Sequence, residues 1–184
     1  MGSIDVIIGC MFSGKSSRII ELKNKYTILN KKILTFKHSL DDTRYKTNNL
    51  VTHNNITSEC ISIDNLSEII TNKKYDYINC DVIIIEEGQF FNNLYNFSKN
   101  AADIDNKIVI IAGLDGDSNR DPFGDILKLI PICTSVTKLH ALCKKCNDGT
   151  KACFTKRKPT NKSDQILVGV DEFEAVCRKH YLVK

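Results

Sequence analysis

The chain has 184 residues, enough for one domain with a real core or one domain plus a small appendage. Its 42% hydrophobic and 26% charged residues suit a soluble globular protein, and no apolar run approaches the ~20 residues needed to cross a bilayer. A formal charge of +4, with no run of basic residues long enough to form a stripe, argues against bulk nucleic-acid binding and leaves an acidic small ligand open.

The first segment, "DVIIG", is strand-like from the start, without the charged head, long apolar stretch and small-residue cleavage site of an export signal. It runs into "GCMFSGKS", Gly9 to Ser16, which matches G-x-x-x-x-G-K-[ST] between a predicted strand and a predicted helix. Backbone N–H groups of Gly9, Cys10, Met11, Phe12, Ser13 and Gly14 can converge on phosphate oxygens there. Lys15 can reach the β and γ oxygens, and Ser16 can ligate Mg²⁺. Ile19, Leu22, Tyr26 and Leu29 then recur at spacings of three and four, which predicts a helix with one apolar face.

"KKILTF" reads as the second strand and "NLSEIIT" as a weaker helix. "DVIIIEE" follows as a buried strand that places Glu86 and Glu87 at its carboxyl end, where ligands of open α/β sheets gather. Adjacent carboxylates point in different directions, so one can face a metal and the other a substrate hydroxyl. "FNNLYNFSKNAA" is a helix candidate and "KIVIIAGL" a further strand. Continuous apolar runs of this kind belong to a parallel sheet covered on both faces, which makes residues 1–141 an α/β nucleotide-binding core.

From Leu142 the chain turns polar and Cys-rich, and residues 142–184 read as a small metal-stapled lobe that includes the strand-like "ILVGV". Cys143-x-x-Cys146 and Cys177-x-x-His180 have the spacing that presents four ligands to one structural Zn²⁺. Cys153 is the competing ligand, although its "ACFT" segment should run as a strand and aim it at the core. The remaining cysteines, Cys10, Cys60, Cys80 and Cys133, read as small hydrophobes. A second reading of the loop and lobe is a strand-gripping ATPase. It has only the lysines of "CKKC" and "TKRK" behind it, and an aromatic content of 8% without Trp offers little surface for base stacking.

The strings "GCMFSGKS", "DDTRY", "EEGQFF", "AGLDGD", "PFGDIL", "TKRK" and "CRKH" occur in the order and approximate spacing of the type II thymidine kinases, the cellular and poxvirus-like family. The chain resembles its compact viral members over nearly its whole length. The resemblance implies a RecA-like P-loop core with a mainly parallel sheet, a zinc-bearing lasso domain and a homotetramer. It also implies transfer of the ATP γ-phosphate to the 5′-hydroxyl of thymidine, supplying dTMP for DNA synthesis by salvage. Feedback by dTTP, a cytoplasmic location (host cytoplasm for a viral protein), and no membrane or nucleic-acid partner are implied as well.

Carried over by position, Gly9 to Ser16 hold the triphosphate, flanked by Asp42, Thr43 and Arg44. Glu86 stands at the family's magnesium-associated carboxylate and Glu87 at its proton acceptor, and Gly88 and Gln89 are counted with Glu86 among the residues that bind the nucleotide and its magnesium. Met11, Leu114, Ser118 and Phe123 line the nucleoside pocket, with Thr155 beneath and Phe173 closing it. The lasso backbone from Asp164 through Gln165, Ile166 and Leu167 to Val168 grips the base. The departures are Glu86 for an aspartate, Ser118 for an aromatic, Val168 for a glycine, Phe173 for a tyrosine and His180 for a cysteine.

Overall fold

The computed structural model describes residues 1–41, 49–51, 57–72, 75–158 and 172–183. The first half contains β1 (Ser3–Gly9), α1 (Lys15–Ile28), β2 (Ile33–His38), β3 (Asn49–Val51), β4 (Thr57–Glu59), β5 (Ile61–Ile63), α2 (Ser67–Thr71) and β6 (Val82–Ile85). α3 (Leu94–Asp103), β7 (Ile108–Gly113) and β8 (Ser135–Leu139) complete the core. β9 (Ala141–Leu142), β10 (Lys151–Ala152), β11 (Phe154–Arg157), β12 (Phe173–Val176) and α4 (Arg178–Leu182) form the lobe.

The four continuous apolar runs become the central strands. The six-stranded sheet has the order β5-β2-β6-β7-β1-β8, and every neighbouring pair is parallel. This is the α/β class with a parallel sheet expected from the sequence. Strand alternation sends Ile83, Ile85, Val109 and Ile111 into one apolar layer with α2 and α3, through Ile69, Leu94, Phe97 and Ala101. Val82, Ile84, Ile110 and Ala112 point into the opposite layer, where Ile19, Leu22 and Tyr26 of α1 cover them. Leu29 departs from the expected apolar face. The helix ends at Ile28, so Leu29 caps it beyond the sheet and is 56% exposed.

Because all six strands run the same way, Gly9, His38, Ile85 and Gly113 end on one rim of the sheet. The loops that follow them therefore meet in space. The lobe docks beside that rim as two antiparallel pairs, β9 with β10 and β11 with β12. Its small core of Ala141, Ala152, Ala175 and Val176 also takes in Cys10 from the phosphate loop. Cys153 lies between β10 and β11, half-buried and bordering a cavity, and so is not aimed at the core as its segment suggested. No described helix is long and apolar enough to cross a membrane.

Candidate active site and metal centre

β1 stops at Gly9 and α1 starts at Lys15, so the Gly-rich segment is a tight loop opening a helix. Gly14 caps the helix at φ 87°, a left-handed conformation open to glycine at little cost. Lys15 Nζ folds back to donate to the carbonyls of Gly9 (3.1 Å) and Cys10 (2.9 Å), poised over the mouth of the loop. Ser13 Oγ is buried inside the loop without a hydrogen-bond partner. A buried hydroxyl of this kind fits a loop built to receive anionic oxygens.

The acidic pair sits where the strand assignment put it. Glu86, 6% exposed, follows the last residue of β6, and its amide donates to Phe36 O at 2.8 Å, continuing the sheet. Ser16 Oγ donates to Glu86 Oε1, so the loop and the end of β6 meet across seventy positions of sequence. Glu87 adopts φ 51° and ψ 43° at the start of a 3₁₀ turn over Gly88–Phe90. For a residue with a Cβ that conformation costs roughly 1–2 kcal/mol. It turns the Glu87 side chain away from Glu86's course, and backbone strain of this sort concentrates at functional sites.

Gln89 holds the arrangement. Buried, it donates from Nε2 to Glu87 Oε2 at 2.5 Å and accepts from the amide of Leu114 at 3.0 Å. Gly113 permits this close approach, since a Cβ there would lie 2.3 Å from Gln89 Oε1. Gly113→Ala is therefore expected to displace the amide and release Glu87. The stability loss should be about 1–3 kcal/mol for the broken buried hydrogen bond, and kcat should fall by roughly tenfold to hundredfold. Thermal melting alongside steady-state kinetics separates the two. A variant that loses stability but keeps turnover would show that Gln89 does not position Glu87.

Four of the residues expected at the nucleoside pocket, Met11, Leu114, Phe123 and Phe173, come together. Met11, Leu114 and Phe173 form one buried apolar cluster, with Phe12 and Phe123 packed against it. Thr155 joins lobe to loop by accepting from Met11 N at 3.0 Å. Ser118 is half-buried, and its carbonyl accepts from Tyr181 Oη at 2.8 Å. Asp42, Thr43, Arg44 and the stretch from Asp164 to Val168 lie outside the described residues.

Sequence reasoning missed two side chains. Phe90 meets Phe123 edge to face at 5.6 Å, and Arg157 lies over the Phe173 ring at 5.7 Å. Phe90 stood inside the quoted "EEGQFF" string, and Arg157 was hidden among charges that read as solvated surface.

In the lobe, Cys143, Cys146, Cys177 and His180 bring their ligand atoms within 4.8 Å of one another, and Cys153 does not join them. Cys146 Sγ and Cys177 Sγ are 3.8 Å apart. His180 Nδ1 lies 3.5 Å from Cys143 Sγ, 3.3 Å from Cys146 Sγ and 3.4 Å from Cys177 Sγ. A tetrahedron with metal–sulfur bonds of ~2.3 Å has sulfur–sulfur edges of about 3.8 Å, so the donor set fits zinc. Burial opposes ionisation of Cys143. The amides of Cys177, Cys146 and Lys145 and the His180 ring outweigh it and push this thiol down to about 6. A thiolate is the form that binds metal.

The Gly9–Ser16 loop thus lies beside the paired carboxylates, contributes Met11 to the apolar cluster, and packs near a lobe that carries the Cys₃His cluster. The family model for thymidine kinase matches residues 2–181. The chain is 43% identical over 182 residues to thymidine kinase a of Arabidopsis thaliana, covering 98% of this chain and 75% of that protein. It is 41% identical over 187 residues to the thymidine kinase of sheeppox virus, covering 100% of this chain and 98% of that one. It is 40% identical over 181 residues to that of vaccinia virus, with coverage of 98% and 97%. Matches of this extent take in the loop, the paired carboxylates and the lobe together, and by them the chain belongs to the thymidine kinase family of ATP-dependent deoxynucleoside kinases.

Proposed function

We propose that this chain transfers the γ-phosphoryl group of ATP to the 5′-hydroxyl of thymidine, giving dTMP and ADP, with Glu87 as general base. The observation that carries the reading is the hydrogen bond from Ser16 to Glu86. It joins the phosphate loop to the acidic strand end at the point where a magnesium triphosphate needs both. Lys15 leaves the Gly9 and Cys10 carbonyls to reach the β and γ oxygens. Ser16 and Glu86 would hold Mg²⁺, which would supply charge neutralisation for the transferring phosphoryl group.

Glu87 accepts the proton of the 5′-hydroxyl as that oxygen bonds to the γ-phosphorus and the bridging oxygen departs with ADP. Gln89 keeps Glu87 in place, and Gly88 supports the turn. Met11, Leu114, Phe123 and Phe173 bury the base above Thr155, with Ser118 at the margin. The resemblance would add Asp42, Thr43 and Arg44 beside the phosphates and the lasso backbone from Asp164 to Val168 on the base. The reading assigns the chain up to residue 140 to nucleotide binding and the part from β9 (Ala141–Leu142) onward to the zinc-held lasso, one residue before the 141/142 boundary drawn from the sequence. It includes a cytoplasmic homotetramer under dTTP feedback.

A panel of nucleosides assayed for 5′-phosphorylation with ATP and Mg²⁺ tests the reading. Thymidine is expected to be the preferred acceptor. Turnover of ATP that depends on single-stranded DNA and not on a nucleoside would overturn it. Lys15→Ala is expected to weaken triphosphate binding and lower kcat/KM by roughly 10²–10³, the scale of one lost charge-stabilising donor. Unchanged kinetics in that variant would remove the phosphate-loop assignment.

A further inference from the structure

We propose that Cys10 and Cys153 are a redox-sensitive thiol pair, joined by a small-molecule disulfide such as oxidised glutathione into a bond that ties the phosphate loop to the lobe. The two residues stand 143 positions apart in sequence and border the same cavity of about 230 Å³, with Asp115, Arg120, Lys138 and Thr155 among its walls. Cys10 Sγ donates to the carbonyl of Ala152 at 3.4 Å, and that peptide carries Cys153 on its other side. Standard peptide dimensions then put Cys10 Sγ within about 6 Å of Cys153 Cα. The bond itself needs the two Cα atoms about 4.4–6.8 Å apart, so Cys10 Sγ must swing from the Ala152 carbonyl toward Cys153 through the shared cavity.

The other thiols lack this relation. Cys143, Cys146 and Cys177 belong to the metal set. Cys80 and Cys133 donate to carbonyls three residues back, within their own turns, and Cys60 is packed in the layer under α1.

The two thiols have unequal roles. Cys153 is half-buried at the cavity wall and open to a reagent, whereas Cys10 is enclosed and burial pushes its thiol up. Cys153 therefore attacks first: its thiolate bonds to one sulfur of oxidised glutathione, the S–S bond breaks, and one glutathione leaves. The Cys10 thiolate then attacks Cys153 Sγ and expels the second glutathione. Two protein thiols lose two electrons and two protons in all, and the glutathione disulfide is reduced to two thiols. Lys138 is held by Asp115 at 2.7 Å, and Arg120 lies over the Tyr181 ring at 4.4 Å with Asp117 on the same wall, so the cavity carries both signs of charge and access to Cys153, not charge, governs the reagent's approach.

The consequence follows from the position of Cys10 in the loop. Its carbonyl holds Lys15 Nζ, and its neighbour Met11 is bonded to Thr155. A covalent tether at Cys10 fixes the loop in this arrangement and hinders the shift that Lys15 must make. This last step rests on the proposed phosphate-loop function, whereas formation of the bond does not.

The test uses the full chain with its zinc, treated with oxidised glutathione. Peptide mapping without reductant is expected to recover a Cys10–Cys153 link. Metal analysis should show zinc retained. Thymidine phosphorylation should fall at least about tenfold, as for a small misplacement of a catalytic loop, and dithiothreitol should restore it. Cys153→Ser, with Cys153→Ala as a second variant, should keep its activity through the treatment. Absence of the link, a link without loss of activity, or equal loss in both Cys153 variants overturns the proposal. Inactivity of the untreated protein toward thymidine would instead count against the proposed function.

Discussion

Glu87→Gln is expected to fold, bind ATP normally and lose roughly 10²–10⁴ in kcat, the range that a positioned general base supplies. The substitution keeps the shape of the side chain and removes its ability to take a proton. Glu87 suits the role through its backbone, because its left-handed φ and ψ turn it off the line of β6, while Gln89 fixes one carboxylate oxygen. Glu86→Gln is the informative contrast. That side chain is bonded to Ser16, so its loss should raise the Mg²⁺ requirement before it lowers saturated turnover. Titrating ATP by thermal shift and measuring kcat at saturating Mg²⁺ separates the two variants. Near-full turnover in Glu87→Gln would end the assignment of Glu87 as base.

The central strands were readable because a strand covered on both faces carries an unbroken apolar run, and "VIII" and "IVIIAG" leave little alternative. β8 was not read, since "SVTKL" pairs on one side only and stays largely exposed at the sheet edge. β5, at the other edge, is three residues long. The cluster of Cys143, Cys146, Cys177 and His180 was readable from spacing, because a two-residue spacer lets a tight turn bring both members of each pair to one point. The strain at Glu87 and the part played by Gln89 were not. Neither leaves a mark on composition or period, and the place of Gln89 depends on Gly113, a strand residue whose missing side chain matters only once β7 lies beside the 3₁₀ turn. Leu29 shows the converse error, since periodicity continues past a helix end that the glycine-poor sequence does not mark.

Metal loss should have the largest effect on the lobe. Its fully buried core is small, with Ala141, Ala152, Ala175 and Val176 beside the thiols of Cys10, Cys143 and Cys177, and its aromatic side chains Phe154 and Tyr181 are only partly buried, so it offers limited area to the hydrophobic effect. A structural zinc site in a small domain contributes an apparent ~10–16 kcal/mol to folding, more than such a core supplies. Four protein ligands would leave no open position for water, so a zinc held by this cluster would clamp the fold and take no part in phosphoryl transfer. One zinc per chain is expected, lost in Cys143→Ser and Cys177→Ser, weakened in His180→Ala and retained in Cys153→Ser. Where zinc is lost, Thr155 no longer anchors Met11 and Phe173 leaves the apolar cluster. The KM for thymidine should then rise by at least about a hundredfold, the effect of removing two or more buried contacts, while ATP still binds the core. Metal analysis of the purified variants with separate titrations of the two substrates decides the matter. Zinc lost from Cys153→Ser and fully kept in His180→Ala would show the fourth ligand to be wrong, and full zinc in Cys143→Ser would remove the site altogether.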